Sequence, residues 1–302
     1  MSSEKNSKLL RIPPWLRVKL PADKNFSGTR HLLEDLRLNT VCQSAKCPNC
    51  WECFSRKVAT FLIMGCQCTR NCAFCNIETG RVTALDPDEP RRVAEGARRL
   101  ELRHVVVTSV TRDDLPDGGA AHFAATIRAV REVLPECTVE VLIPDFQGVE
   151  EALRCVLEAG PDILNHNLET VPALYSRIRP QADYGQSLEL LRVSKRIAPD
   201  IPTKSGIMVG LGETDEEIDR TLRDLAETGC DIVTVGQYMR PTRQHPAVER
   251  YVHPDGFTAY ARQGEALGIP QMHCAPLVRS SYNADRFVGV RAPKGTTKSS
   301  NP

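Results

Sequence analysis

Short apolar runs rich in β-branched residues recur along the chain: VATFLIM (58–64), HVVVTS (104–109), TVEVLI (138–143), DILNHN (162–167), PTKSGIMV (202–209) and DIVTVG (231–236). Because these runs are nearly continuous rather than alternating, they predict strands buried on both faces, as in a parallel sheet covered by helices. Amphipathic helices are predicted between them. One covers 90–100 with an arginine-rich outer face, and another covers 122–133. Three more cover 150–159, 187–197 and 215–228, stopping at Gly160, before Pro199 and at Gly229. The alternation makes this an α/β chain of about six βα units, too few for a closed eight-fold barrel. It predicts a partial, TIM-like (β/α)6 barrel whose chemistry lies at the carboxyl ends of the strands. Residues 1–57 then form an N-terminal extension, 58–270 the barrel, and 271–302 a C-terminal extension whose tail, RAPKGTTKSSNP, is expected to be disordered.

Composition narrows the class. A hydrophobic content of 41% over 302 residues fills a core, and 39 basic against 38 acidic residues leave no field that calls for nucleic acid or an anionic membrane. The opening MSSEKNSKLLRIPPWLRVKLP has no secretory core, no transit peptide is evident, and no run is long enough to span a bilayer. A reducing, cytoplasmic setting is the expectation. There, clustered cysteines are metal ligands or redox groups more often than disulfides, and eight of the twelve lie between positions 42 and 75. The others, Cys137, Cys155, Cys230 and Cys274, read as small buried hydrophobes.

The clustered thiols form two sets. Cys68, Cys72 and Cys75 have the spacing Cys-x3-Cys-x2-Cys directly after the first strand, with no obvious fourth ligand. Three thiolates on a four-iron cluster leave one iron open to exchange. The alternative is a closed zinc site completed by Cys66, although zinc pairs usually have two to four residues between cysteines. In CQSAKCPNCWEC (42–53), Cys47, Cys50 and Cys53 form a regular, ferredoxin-like repeat, whereas Cys42, Cys47 and Cys53 form Cys-x4-Cys-x5-Cys. Spacing alone does not choose between them.

The loop CTRNCAFC, with Phe74 before its last cysteine, resembles the radical S-adenosylmethionine (SAM) superfamily. More of the chain is similar to the lipoyl synthase family, roughly over residues 11–288. The matching segments, in family order, are PPWLRVKLP (13–21), the CPN and EC context of the first set, CTRNCAFCNI (68–77), VTSVTRDDLPDGGA (107–120), NHNLETV (165–171), TKSGIMVGLGET (203–214) and PLVRSSY (276–282). The SAM loop alone marks a superfamily; the paired cysteine motifs with Arg-Ser-Ser-Tyr are specific to the family.

The resemblance implies a radical SAM type of barrel and two [4Fe-4S] clusters. Cys68, Cys72 and Cys75 would hold the one that chelates SAM and cleaves it to methionine and a 5′-deoxyadenosyl radical. Cys42, Cys47, Cys53 and Ser281 would hold an auxiliary cluster that is sacrificed as the sulfur source, with Arg279 and Ser281 as the catalytic pair. SAM would be contacted by Phe74 near the adenine, by Asp113, Gly118 and Gly119 after the second strand, by Asn165 and Glu169 at the end of the fourth, and by Gly210 near the ribose. Without the resemblance DDLPDGG is simply a turn, and His166 a hydrogen-bonded wall residue. The implied reaction inserts sulfur at C6 and C8 of an octanoyl chain amide-linked to a lysine of a lipoyl carrier domain (2-oxoacid dehydrogenase E2 or glycine cleavage H protein). Flavodoxin or ferredoxin would supply electrons, and an iron–sulfur carrier would repair the cluster. The chain departs from the family pattern at Cys50, Cys66 and Asn283, and Cys274 adds a thiol before Ser281, so a thiolate could compete with the serine hydroxyl for iron. Arg91, Arg92, Arg98 and Arg99, and separately Trp15 with Arg17 and Lys19, are surfaces that could meet an acidic carrier.

Overall fold

The structure is a computed structural model that describes residues 10–17 and 24–281; Lys19, Tyr282, Asn283 and the tail from 291 lie outside the described residues. Its centre is a sheet in which seven strands run parallel: β1 (Thr60–Ile63), β2 (His104–Ser109), β3 (Thr138–Leu142), β4 (Ile163–Asn165), β5 (Thr203–Val209), β6 (Ile232–Gln237) and β7 (Gln271–Ala275). They lie in chain order, so each βα crossover joins neighbouring strands. The two-residue strand Asn39–Thr40 pairs antiparallel with β1 at one edge, and β7 closes the other. The two edges are not paired among the described residues, so the barrel is open.

The predicted helices form as α3 (Glu89–Arg99), α4 (Ala120–Val133), α5 (Glu150–Glu158), α6 (Tyr184–Ile197) and α7 (Asp215–Glu227), preceded by α1 (Lys24–Asp35) and α2 (Cys50–Ser55) in the N-terminal segment. Local chemistry sets their ends. Thr214 and Glu217 form a reciprocal capping box on α7, and Asp183 caps α6 through Gln186 N. Neither α8 (Pro254–Ala266) nor β7 was predicted. Helix α8 carries Gly256 and Gly264, which weaken a helical pattern, and β7 reads QMHCA, partly exposed throughout, because it is an edge strand.

Alternation along the strands divides the core. Val105, Val107, Val139 and Val141 point outward to α3, α4 and α5, while Val233 and Val235 serve α7 and α8. The inward positions are unusually polar. Lys204 Nζ lies 2.9 and 3.1 Å from the two carboxylate oxygens of Glu140, both side chains are fully buried, and Asn165 Nδ2 donates to Glu140 Oε1 at 3.1 Å. Burial opposes ionisation of Glu140, but Lys204 and His104 hold its pKa below the usual carboxylate range. Removing one partner strands a buried charge, at a cost of about 3–5 kcal/mol. Glu140→Ala is therefore expected to destabilise the apo-protein by that amount in urea unfolding, and the double variant Glu140→Leu/Lys204→Met to recover most of it. Equal losses in the two variants would contradict the pairing.

Candidate active site

At the carboxyl ends of the strands a cavity of about 320 Å³ is lined by five of the clustered cysteines, Cys42, Cys47, Cys68, Cys72 and Cys75, and by Arg279 and Ser281 from the chain after β7. Three segments distant in sequence meet there.

Cys68 ends a two-residue strand, Gln67–Cys68, paired with Glu78–Thr79, and its sulfur accepts N–H groups from Arg70 at 3.4 Å and Thr111 at 3.3 Å. The rest of that loop is held by Ala73 N donating to Ile178 O (2.8 Å) and by His245, whose Nε2–H donates to Cys75 O (3.0 Å). Of the first set, Cys42 lies in a short helix, Val41–Ser44, capped by the Thr40 hydroxyl, Cys50 and Cys53 lie in α2, and Cys47 lies in the connection between them. Asn76 Nδ2 donates to Ser44 O at 2.8 Å and so joins the two cysteine loops. Asn49 Nδ2 donates to Leu277 O at 2.7 Å, and Asn167 Nδ2 to Ser280 Oγ at 3.0 Å, which seats the segment bearing Arg279 and Ser281. Gly236 is required here, because a Cβ would stand 2.1 Å from Val278 O.

Desolvation dominates the electrostatics. Burial pushes the thiols of Cys42 and Cys75 up to about 12 and that of Cys50 to about 11, and it also raises Cys53 and Cys72. Such thiols stay protonated in water-free surroundings and lose the proton to a bound cation, so occupancy by metal relieves the mismatch. The thiols of residues 42–53 lie within electrostatic reach of one another. Among the described residues no three His, Cys, Asp or Glu side chains converge on a single-ion site.

The other expected residues divide between the cavity and its surroundings. Phe74 and Glu169 line the cavity. Cys53 does not, being packed behind it against the core. Asp113 and Gly118 flank a separate cavity of about 280 Å³, and Asp113 spends both carboxylate oxygens on Arg70. Gly119, at φ 89°, is the N-cap of α4 against Met64; Asn165 belongs to the interior network beneath Glu140; and Gly210, at φ 101°, packs against Gln237 and the Arg250 carbonyl. None of these five is among the residues that line the cavity. Of the competing thiols, Cys66 is exposed, Cys274 packs on the outer face of β7, and neither these nor Cys50 lines the cavity.

Sequence reasoning passed over two buried cations, Arg70 and Arg179. Arg179 is 9% exposed and lines the cavity. It donates to the Asn167 and Leu168 carbonyls and the Tyr175 hydroxyl, none of them a carboxylate, and its Nε has no partner. No local pattern marks either: Arg179 sits in SRIRP (176–180) beside a second arginine, and Arg70 sits in the polar run CTRNC (68–72).

Comparison with known proteins follows this geometry. The radical SAM superfamily model matches residues 62–225, and the model of the N-terminal domain of lipoyl synthase of that family matches residues 1–47. Lipoyl synthase from Oleidesulfovibrio alaskensis is 68% identical over 289 residues, covering 95% of this chain and 99% of its own. The chain belongs to the lipoyl synthase family. Further lipoyl synthases, from Caldanaerobacter subterraneus and Rubrobacter xylanophilus, are 57% and 52% identical over 95% and 90% of this chain and 99% and 85% of their own. The fold recurs in methylornithine synthase (TM-score 0.54, 17% identity, 89% of both chains) and in HydG, a maturase of the [FeFe]-hydrogenase (TM-score 0.55, 16% identity, 85% of this chain and 57% of that one). As a lipoyl synthase family member it is a radical SAM enzyme that inserts sulfur, and the superfamily brings a [4Fe-4S] cluster and SAM. No helix among the described residues is long and apolar enough to cross a membrane.

His166 yields a pH prediction. Its Nδ1–H donates to Ile143 O at 2.9 Å, Nε2 has no partner, and burial, assisted by Arg179, lowers the pKa to about 4. Between the unfolded value of about 6.5 and the folded value of about 4, the unfolded chain binds the extra proton. Stability is then full above pH 6.5 and falls as pH drops through that window, by about 3 kcal/mol. His166→Gln should flatten this slope in urea titrations of the apo-protein; an unchanged slope would contradict the assignment.

Proposed function

We propose that the cavity holds two four-iron clusters side by side, one on Cys68, Cys72 and Cys75 and an auxiliary one on Cys42, Cys47, Cys53 and Ser281, and that it acts on an octanoylated lysine of a lipoyl carrier domain. The carrying observation is that Cys68, Cys72 and Cys75, two of the first set's three proposed ligands (Cys42 and Cys47) and Ser281 line one cavity, although Ser281 lies more than two hundred residues from either set. When bound, the groups supply one-electron cleavage of the SAM sulfonium and, from the auxiliary cluster, sulfide.

The chain's own residues bind, orient and exclude water. Arg179 offers a desolvated guanidinium to the carboxylate of SAM, a match of planar fork to planar anion. Phe74 offers an apolar face for the adenine, and Glu169, held by Asn167 Nδ2 at 3.0 Å, accepts from donors of the ligand. Burial raises the Glu169 pKa, and Arg179 works against this. Leu62, Leu142 and Met208 provide a dry wall along which an acyl chain fits. Ser281 contributes a hydroxyl oxygen, a harder and less usual iron ligand than thiolate, so its corner is the one most readily released. Arg279, half-buried, donates to Val278 O at 2.6 Å and lies within the fields of Cys47 and Glu169. In this reading residues 1–57 precede a barrel of 58–270, to which β7 (Gln271–Ala275) adds an edge strand, and the C-terminal extension follows that strand. Flavodoxin or ferredoxin supplies electrons, an iron–sulfur carrier rebuilds the auxiliary cluster, and the setting is cytoplasmic.

Anaerobic reconstitution is expected to load about eight irons per chain with matching acid-labile sulfide, and SAM plus reductant to add two sulfurs to octanoylated carrier. About two zinc ions without sulfide would exclude the reading. In Mössbauer spectra Ser281→Ala should perturb only the auxiliary cluster and Cys50→Ala neither; loss of that cluster in Cys50→Ala alone would move the fourth ligand from Ser281 to Cys50.

A further inference from the structure

The SAM loop contains a buried cation to which the reading above gives no task. Arg70 stands between Cys68 and Cys72 with its side chain 7% exposed. Its guanidinium is shared by two carboxylates: Nε and Nη2 donate to Asp113 at 2.7 and 2.9 Å, and Nη1 and Nη2 to Asp145, both at 2.7 Å. Asp113 follows β2 and Asp145 follows β3, so one side chain ties the loop after β1 to the next two loops around the barrel mouth. The bracket is itself fastened. Asp145 is fully buried and also accepts Gln147 N at 3.0 Å, while Asp113 N donates to Thr69 Oγ1 at 3.1 Å.

The same bracket sets two backbone donors. The Cys68 sulfur accepts one N–H from Arg70 and one from Thr111, and these are the loop segment and the strand-end segment that the Arg70–Asp113 bridge joins. N–H groups aimed at a ligating sulfur draw charge from it and make a cluster easier to reduce. We propose that Arg70, clamped by Asp113 and Asp145, is a positioning residue that sets the reduction potential of the cluster on Cys68, Cys72 and Cys75 by holding two N–H groups against the Cys68 sulfur. Asp113 is then part of the clamp and not a SAM contact. The inference rests on the assignment of those three cysteines to that cluster.

Two variants separate geometry from charge. Arg70→Lys keeps the positive charge but cannot fork to two carboxylates. Asp145→Asn removes a negative charge, which by Coulomb's law alone would make reduction easier. Each is reconstituted in the full chain, its iron counted, its SAM affinity measured, and its potential titrated on the EPR signal that changes when SAM is added. Both variants are expected to shift the potential to more negative values with near-normal iron content and unchanged SAM affinity. An unmoved or more positive potential in Asp145→Asn overturns the proposal, and that variant decides alone if Arg70→Lys fails to hold iron. Weakened SAM binding in Asp113→Asn, with the potential unmoved in the other two, would instead make Asp113 a SAM contact. A Cys72→Ala control that keeps the SAM-responsive signal would show that the ligand assignment, and not the clamp, has failed.

Discussion

Everything at this site depends on parallel strands ending at one edge of an open barrel, with every second residue turned inward. The outward residues are aliphatic and hold the helices. The inward residues change character with height. Low in the barrel they are charged and paired, as in Glu140, Asn165 and Lys204, and near the mouth they are small, as in Gly206, Thr234 and Gly236. The paired charges close the floor and the small residues leave the space. A Cβ on Gly206 would meet Thr234 Oγ1 at 2.4 Å, and one on Gly236 would meet the backbone that carries Arg279 and Ser281. Strand register therefore sets the floor of the cavity, and the segments that carry the cysteines, Arg279 and Ser281 wall it.

Onto that mouth the chain brings ligand-bearing segments from three places and fixes them with asparagines. Asn49, Asn76 and Asn167 each donate across a long sequence separation. A neutral amide suits this task, since it can satisfy a buried carbonyl or hydroxyl without importing a charge. Charge is instead concentrated in Arg70, Arg179, Arg279 and Glu169, inside a region whose thiols are destabilised as thiolates by burial. A polynuclear cation complex at the cysteines would complete the electrostatics that the protein leaves unbalanced.

Much of this was legible in the sequence because it is local. Near-continuous β-branched runs and Gly or Pro stops mark six strands and five helices, and cysteine spacing marks both loops. What was not legible is set by partners far along the chain. Strand β7 has no apolar run of its own and exists because β6 offers an edge. Arg70 looks like loop filler until Asp113 and Asp145 arrive from two other loops, and Asp113, read as a cofactor contact because it follows β2, turns its carboxylate to Arg70. Gly119 and Gly210, expected near SAM, also have local tasks that no short-range pattern shows: Gly119 turns into a helix and Gly210 permits backbone packing. Position at the carboxyl end of a strand shows that a residue is near the site, but not what its side chain faces.

The central claim is that one cavity contains both the radical chemistry and its sulfur source. The most direct measurement is to reconstitute the protein with heavy-isotope sulfide, exchange it into unlabelled buffer, and run a single turnover on octanoylated carrier with SAM and reductant. Mass analysis of the carrier should find heavy sulfur at both C6 and C8. Light sulfur at both positions, with turnover complete, would place the donor outside this chain and contradict the account.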